Sequence, residues 1–323
     1  EANGKQVVRF ATSPRMSSYL LHLTVGDLER ISRKAAGVEI GIVTRKGAAE
    51  QGRVALDAAA EILPWYNDYF GTSYPLPKLD MIAVPGTSQF FGAMENWGAI
   101  MYFEQALLMD PQISSESDRL NIYDAVAHEM AHQWFGNLVT MEWWDDLWLN
   151  EGYATWMAEK AASTLRSQWN VPLLTVKWPR EFALQSDASD ATHPIVQRVA
   201  SVDAASQAFD SIAYNKGSAV IRMLEASLGE AGFRDGIRRY VRRYAYDNTV
   251  TDQLWSELAS ATNRPVIDIA RDFTLQPGVP LVKAVAGRCE SGRTRVTLTQ
   301  GRFETGTPSP VALTWRMPVV LQA

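Results

Sequence analysis

The chain has 323 residues, and 46% of them are hydrophobic, which is enough to bury a sizeable core. Its net charge of −5 and pI near 5.5 leave no general basic footprint for nucleic acid. No apolar run approaches the roughly 18 residues that a membrane span needs. The single cysteine, Cys289, excludes an internal disulfide. It leaves cytoplasmic and periplasmic or secreted locations both open, and nothing around it marks a nucleophile. No signal peptide is visible, and the Glu-Ala-Asn start predicts a processed or excised beginning.

In chain order, Gln6–Phe10 and Ser18–Val25 read as β-like runs, punctuated by Ser13-Pro14 and Gly26-Asp27, and Val38–Thr44 as a third strand. Residues 48–70 carry an apolar stripe at helical spacing, with Pro64 a place to kink or split the helix. Leu79–Val84 and Gly98–Phe103 are short strands on either side of a loop. Ser114 or Ser115 can cap the next helix, with Glu116 and Asp118 in its first turn. Gly136-Asn137 ends it, Leu138–Met141 is a β-like link, and a second helix follows over 147–165. Further helices are predicted at 171–187, 216–228, 231–246, 251–262 and 265–275. Arginines 234, 238, 239, 242 and 243 read as a solvated face that pairs with nearby acids. After Gln276-Pro277-Gly278 the pattern turns β-like: Leu281–Val285, Thr294–Thr299 and Val311–Leu321.

The chemistry concentrates in His128-Glu129-Met130-Ala131-His132. A helix turns about 100° per residue, so His128 and His132 lie on one face and can present two imidazoles to one metal ion. Glu129 sits beside that ion and can take a proton from water activated there. Two buried core histidines are the structural alternative. A catalytic zinc commonly takes three protein ligands. His193, in the Asp190–Pro194 loop, is distant; Glu151, near the start of the second helix, is the better candidate. Its alternative is a surface glutamate favoured by the helix dipole. Two imidazoles and a carboxylate suit zinc best. Asp145 and Asp146 are candidates either to accept from a ligand imidazole or to cap the second helix.

Gly92-Ala93-Met94-Glu95-Asn96, His128-Glu129-Met130-Ala131-His132 and Asn150-Glu151-Gly152, in this order, resemble the zinc aminopeptidases of the aminopeptidase N type. The resemblance extends over nearly the whole chain, through Tyr74–Asp80, Trp134–Thr140, Tyr214-Asn215-Lys216-Gly217 and Gln276–Pro280. It implies an α+β fold in which a thermolysin-like, mainly α-helical catalytic domain with a small β-sheet spans 45–278. Residues 1–44 would end an N-terminal β domain, and 279–323 would start a small β-sandwich. It implies one Zn2+ per chain on His128, His132 and Glu151, Glu129 as general base, and Tyr214 as hydrogen-bond donor to the developing oxyanion. On its own, Tyr214 could equally be a packed aromatic.

The resemblance further implies that Glu95 holds the substrate's free α-ammonium while Gly92, Ala93 and Met94 border the peptide backbone. Phe90 and Phe91 are candidates for the side-chain pocket or for ordinary packing. The family's N-terminal domain supplies a second acidic group for the substrate amine. Its absence here is expected to weaken substrate binding. The expected activity is hydrolysis of the N-terminal residue of peptides with a free N-terminus, with no nucleic-acid partner. Alternatives are endopeptidase or epoxide-opening chemistry on the same site, or a weakly active or non-catalytic zinc-binding fragment.

Overall fold

The computed structural model describes residues 7–88, 91–306 and 312–319 and has a mixed α/β architecture. Ser18–Leu20 forms one 3₁₀ turn, where a strand over Ser18–Val25 is expected from sequence. The reason is burial: Leu20 and the Tyr19 ring turn inward against the helical layer, which an extended strand would not allow. The part of Gln6–Phe10 among the described residues also forms no strand. Strands β1 (Leu28–Ala35) and β2 (Val38–Arg45) make an antiparallel hairpin. Helix α1 (Arg53–Phe70) follows and runs straight through Pro64. Its C-terminal carbonyls at Asp68 and Tyr69 accept hydrogen bonds from the Arg238 guanidinium.

Strands β3 (Lys78–Val84), β4 (Ala93–Met94) and β5 (Ala99–Phe103) complete a five-stranded sheet in the order β1-β2-β3-β5-β4. The β2–β3 and β3–β5 pairs are parallel, and β4 lies antiparallel on the outer edge beside β5. Strand β2 alternates in burial, with Ile40 and Ile42 fully enclosed against α1. Thus β1 and β2, on the N-terminal side of the expected boundary at residue 44, share hydrogen bonds with the sheet that carries β4.

The short α2 (Glu104–Leu107) leads to α3 (Glu116–Ala131). Ser115 and Asp118 form a reciprocal capping box at its start: Ser115 Oγ accepts from Asp118 N at 3.2 Å, and Asp118 Oδ2 accepts from Ser115 N at 2.7 Å. Next come β6 (Val139–Met141) and α4 (Trp148–Leu165). The helix expected over 171–187 is composite: α5 (Val171–Thr175), a π-helical turn at Val176–Arg180 that contains Pro179, and α6 (Glu181–Asp187). Helix α7 (Val202–Gln207) was not apparent from the pattern. A second π-helical turn, Ile212–Lys216, runs into α8 (Gly217–Leu228), then α9 (Glu230–Tyr244).

Strand β7 (Asp247–Thr249) pairs in parallel with β6, and α10 (Thr251–Thr262) and α11 (Val266–Thr274) close the helical layer. Of the arginines on α9, Arg243 pairs with Glu257 at 2.7 Å and Arg238 with Asp68 at 3.9 Å while also capping α1, whereas Arg239 bonds Ser260. Strands β8 (Val279–Glu290) and β9 (Arg293–Phe303) form an antiparallel hairpin with exposed faces, on which Cys289 is also exposed. The described part of Val311–Leu321, residues 312–319, is not a strand. Trp315 exchanges its backbone groups with the Gln300 side chain instead of a backbone ladder, at 2.9 and 3.1 Å.

The core between the sheet and the helices is aromatic. Phe70 stacks on Trp134 at 4.9 Å, Phe135 on Tyr153 at 4.3 Å, and Trp148 on Trp255 at 5.3 Å. Tyr66 buries its hydroxyl by donating to the Ala127 carbonyl at 2.8 Å, which ties α1 to α3 one residue before His128. The capping box at the other end of α3 is exposed and local. Ser115→Ala should therefore lower stability by about 1 kcal/mol, read as a drop in Tm with metal binding unchanged.

Candidate metal centre

Helix α3 brings His128 and His132 one turn apart, with ring centroids 4.7 Å apart and their Nε2 atoms separated by 3.1 Å. Glu151, in the first turn of α4, places Oε2 at 3.4 Å from each of these nitrogens. Donors on a tetrahedral ion with bonds of about 2.0–2.2 Å stand roughly 3.3–3.6 Å apart; the two sides to Glu151 fall in this range, and the imidazole–imidazole side, at 3.1 Å, is slightly shorter. His132 Nδ1 lies 3.0 Å from the Phe135 carbonyl, which can only accept. The ring therefore carries a proton on Nδ1 and points Nε2 into the cluster. Asp145 and Asp146 play neither sequence-suggested role. Asp145 accepts from Val199 N at 2.7 Å and anchors a neighbouring loop, and Asp146 accepts from Thr251 Oγ1 at 2.5 Å and holds the start of α10.

A second set overlaps the first. Glu95, Glu129 and His132 offer atoms that all lie within 4.8 Å of one another. Glu95 follows the edge strand β4, and its carbonyl is held by Asn137 Nδ2 at 2.8 Å and Gln133 Nε2 at 3.3 Å. The loop that ends α3 thus fixes the strand that borders the site. Glu129 is buried, and its Oε2 has no protein hydrogen-bond partner. Gly92 stands on the same edge, with Ala93 and Met94 only half-buried. Phe91 is exposed, and Phe90 lies outside the described residues.

Tyr214 approaches from the π-helical turn before α8. Its ring lies parallel to that of His128, with centroids 6.0 Å apart, and burial, with Glu151 close to its hydroxyl, pushes that hydroxyl well up. This approach depends on two glycines. A Cβ on Gly152 would stand 3.2 Å from Gly217 Cα and 3.1 Å from the Ala213 carbonyl, so the backbones of α4 and α8 touch where Glu151 and Tyr214 must meet.

The electrostatics follow from burying three carboxylates together. Burial pushes Glu129 well up, and the charges of Glu95 and Glu151 add to the effect while His132 opposes it. Burial also raises Glu95, with His132 pulling the other way. Burial would raise Glu151 too, but the charge on His132 and hydrogen bonds from both imidazoles hold it far below the usual carboxylate range. For His132, burial disfavours the charge, yet Glu95 and Glu151 push it up to about 10. Burial pushes His128 down, although Glu151 partly compensates. With all three carboxylates ionised the pocket would carry an excess of negative charge for a cation to balance, and its donor set, two imidazole nitrogens and one carboxylate, fits a divalent metal.

All nine residues singled out from sequence, Gly92, Ala93, Met94, Glu95, His128, Glu129, His132, Glu151 and Tyr214, lie on the segments that meet at this cluster. Sequence reasoning missed Tyr19. Its hydroxyl accepts from Asn150 Nδ2 at 3.3 Å and lies close to the Glu95 carboxyl. No local pattern marks a tyrosine so far along the chain from its partners. Gln133 was also missed, although Asn137 lies in a stretch already noted.

A description of the peptidase family M1 domain matches residues 54–273. Among curated proteins, "Probable aminopeptidase 2" of Sulfurisphaera tokodaii is 44% identical over 87% of this chain and 36% of its own length. "Leucyl aminopeptidase" of Saccharolobus solfataricus is 40% identical over 94% of this chain and 38% of its own. "Puromycin-sensitive aminopeptidase" of Caenorhabditis elegans is 40% identical over 99% of this chain and 34% of its own. The chain thus spans little more than a third of the length of these relatives. With two thirds of its residues inside the matched domain, the chain belongs to peptidase family M1.

Proposed function

We propose that the chain carries the catalytic centre of a zinc aminopeptidase that removes the N-terminal residue of peptides. The observation that supports this most is the position of Glu95. It is a third buried carboxylate that shares His132 with the candidate metal triangle yet directly follows the edge strand of the sheet. A metal-dependent hydrolase needs the two histidines, Glu151 and Glu129. A further buried carboxylate at the end of the substrate edge calls for a cationic group on the substrate, and a free α-ammonium is that group. The thermolysin-like scheme, with an N-terminal β segment over 1–44, a catalytic domain over 45–278 and a β-sandwich start over 279–323, belongs to the same reading. In it, β1 and β2 join the catalytic sheet.

In this reading His128, His132 and Glu151 hold the zinc. A zinc ion there supplies the positive charge that acidifies water, polarises the scissile carbonyl and favours the ionised form of Glu129. Glu129 takes the proton from the attacking water and passes it to the departing amine. The Tyr214 hydroxyl, which lies close to Glu151, can donate to the carbonyl oxygen as negative charge develops on it. Glu95 fixes the α-ammonium, which limits attack to the first peptide bond. Among the described residues β4 has no strand partner on its outer side, and its backbone can align the peptide as an added strand, with the small Gly92 and Ala93 allowing close approach.

Three outcomes test the reading. Glu129→Gln should retain zinc while kcat for an aminoacyl fluorogenic substrate falls by about 1,000-fold or more; turnover near the parent rate would remove Glu129 as the base. Peptides with an acetylated N-terminus should resist cleavage, and Glu95→Gln should raise KM for free-amine peptides by about tenfold or more. Efficient cleavage of the acetylated peptide would point to endopeptidase action. Finally, a proton on His132 competes with the metal below about pH 10. Apparent zinc affinity should therefore rise with pH, by about tenfold per unit near neutrality. Calorimetry in buffers of different ionisation enthalpy should record net proton release on zinc binding, and pH-independent binding would contradict it.

A further inference from the structure

The turn that carries Tyr214 is held at both ends by one short segment, Asp187–Pro194. At its start, Asp210 Oδ1 accepts from the backbone N–H groups of Ile212 and Ala213 at 2.9 and 3.0 Å. The other carboxylate oxygen, Oδ2, lies 2.7 Å from His193 Nε2, and His193 Nδ1 lies 2.7 Å from the Pro194 carbonyl. Carbonyl and carboxylate oxygens only accept, so both ring nitrogens must donate and His193 is an imidazolium.

At the other end of the turn, the buried Lys216 Nζ lies 2.8 Å from Asp187 Oδ2 and donates to the Gly278 carbonyl at 3.1 Å. Asp187 Oδ1 accepts from Gly278 N at 2.8 Å and from Thr192 Oγ1 at 2.6 Å. Charge-assisted hydrogen bonds fix direction, which apolar packing does not. The held turn is π-helical, a form concentrated at functional sites.

We propose that His193 is a positioning residue for Tyr214: by fixing Asp210 it fixes the first N–H groups of the π-helical turn, and so the place of the Tyr214 hydroxyl beside Glu151. His193 itself does not touch the cluster. It acts through Asp210 and the backbone, while Lys216 and Asp187 secure the far end of the same turn. The inference rests on the reading of Tyr214 as oxyanion donor.

A double-mutant cycle separates positioning from general structural support. In the zinc-loaded full chain, His193→Ala should lower kcat by about 10- to 100-fold, with KM and zinc content near parent values. Affinity for a phosphinic dipeptide analogue of the tetrahedral intermediate, measured by calorimetry, should fall by a similar factor. In a Tyr214→Phe background the same substitution should change either quantity by less than about twofold. His193→Gln, which keeps one N–H toward Asp210, should recover part of the loss. Equal losses in both backgrounds, or a loss confined to KM or zinc content, would overturn the proposal.

A Tyr214→Phe variant as active as the parent would instead remove Tyr214 from the chemistry, and a parent with neither turnover nor affinity for the analogue would sink the functional reading. The positional claim stands or falls independently in crystals of zinc-loaded His193→Ala. A Tyr214 hydroxyl displaced from Glu151 supports it, and an unmoved hydroxyl overturns it.

Discussion

Glu95, Glu129 and Glu151 are buried within reach of one imidazole, His132, and the arrangement of the surrounding elements follows from holding those charges together. Like charges so placed repel strongly away from water. The scaffold braces the places where this repulsion acts. Tyr66 ties α1 to α3 beside the first histidine, the Phe135–Tyr153 stack ties the end of α3 to α4, and Gln133 and Asn137 hold the Glu95 backbone. Each support lies within a few residues of a group in the cluster. Packing energy is thereby spent on the places where repulsion would otherwise open the site.

Much of the site was legible because its central signal is local. Two histidines four residues apart on a helix share a face whatever surrounds them, and Ser115 with Asp118 announces where that helix starts. Strands with one buried face, such as β2 and β3, also declared themselves through apolar β-branched runs. Strand β1 did not. It lies at the sheet edge and reads Leu-Glu-Arg-Ile-Ser-Arg-Lys-Ala, with charges on both faces, so no clear alternation marks it. The run Ser18–Val25 was misleading for the opposite reason. It has the composition of a strand, but the burial of Leu20 and Tyr19 bends it into a turn.

The groups that were not legible act over long separations. Tyr19 meets Asn150 across 131 residues of sequence, and His193 meets Asp210 across a helix and a loop. A lone histidine in a loop carries no spacing that distinguishes an ion pair from a solvated side chain. Tyr19 also lies outside residues 54–273, which match the family description. The unit that shapes the surroundings of Glu95 is therefore larger than the unit that defines the family by sequence.

The π-helical turn at Ile212–Lys216 has a consequence for how this region is compared between sequences. Such a turn is an α-helix with one residue too many, so the helix beyond it is rotated by about 100° relative to an uninterrupted one. The apolar periodicity of α8 is accordingly out of phase with the residues before Gly217, and helical spacing alone predicts a start at 216 rather than 212. An alignment that closes this one-residue surplus as a gap would assign Tyr214 to the wrong face of the helix, although every downstream residue matched.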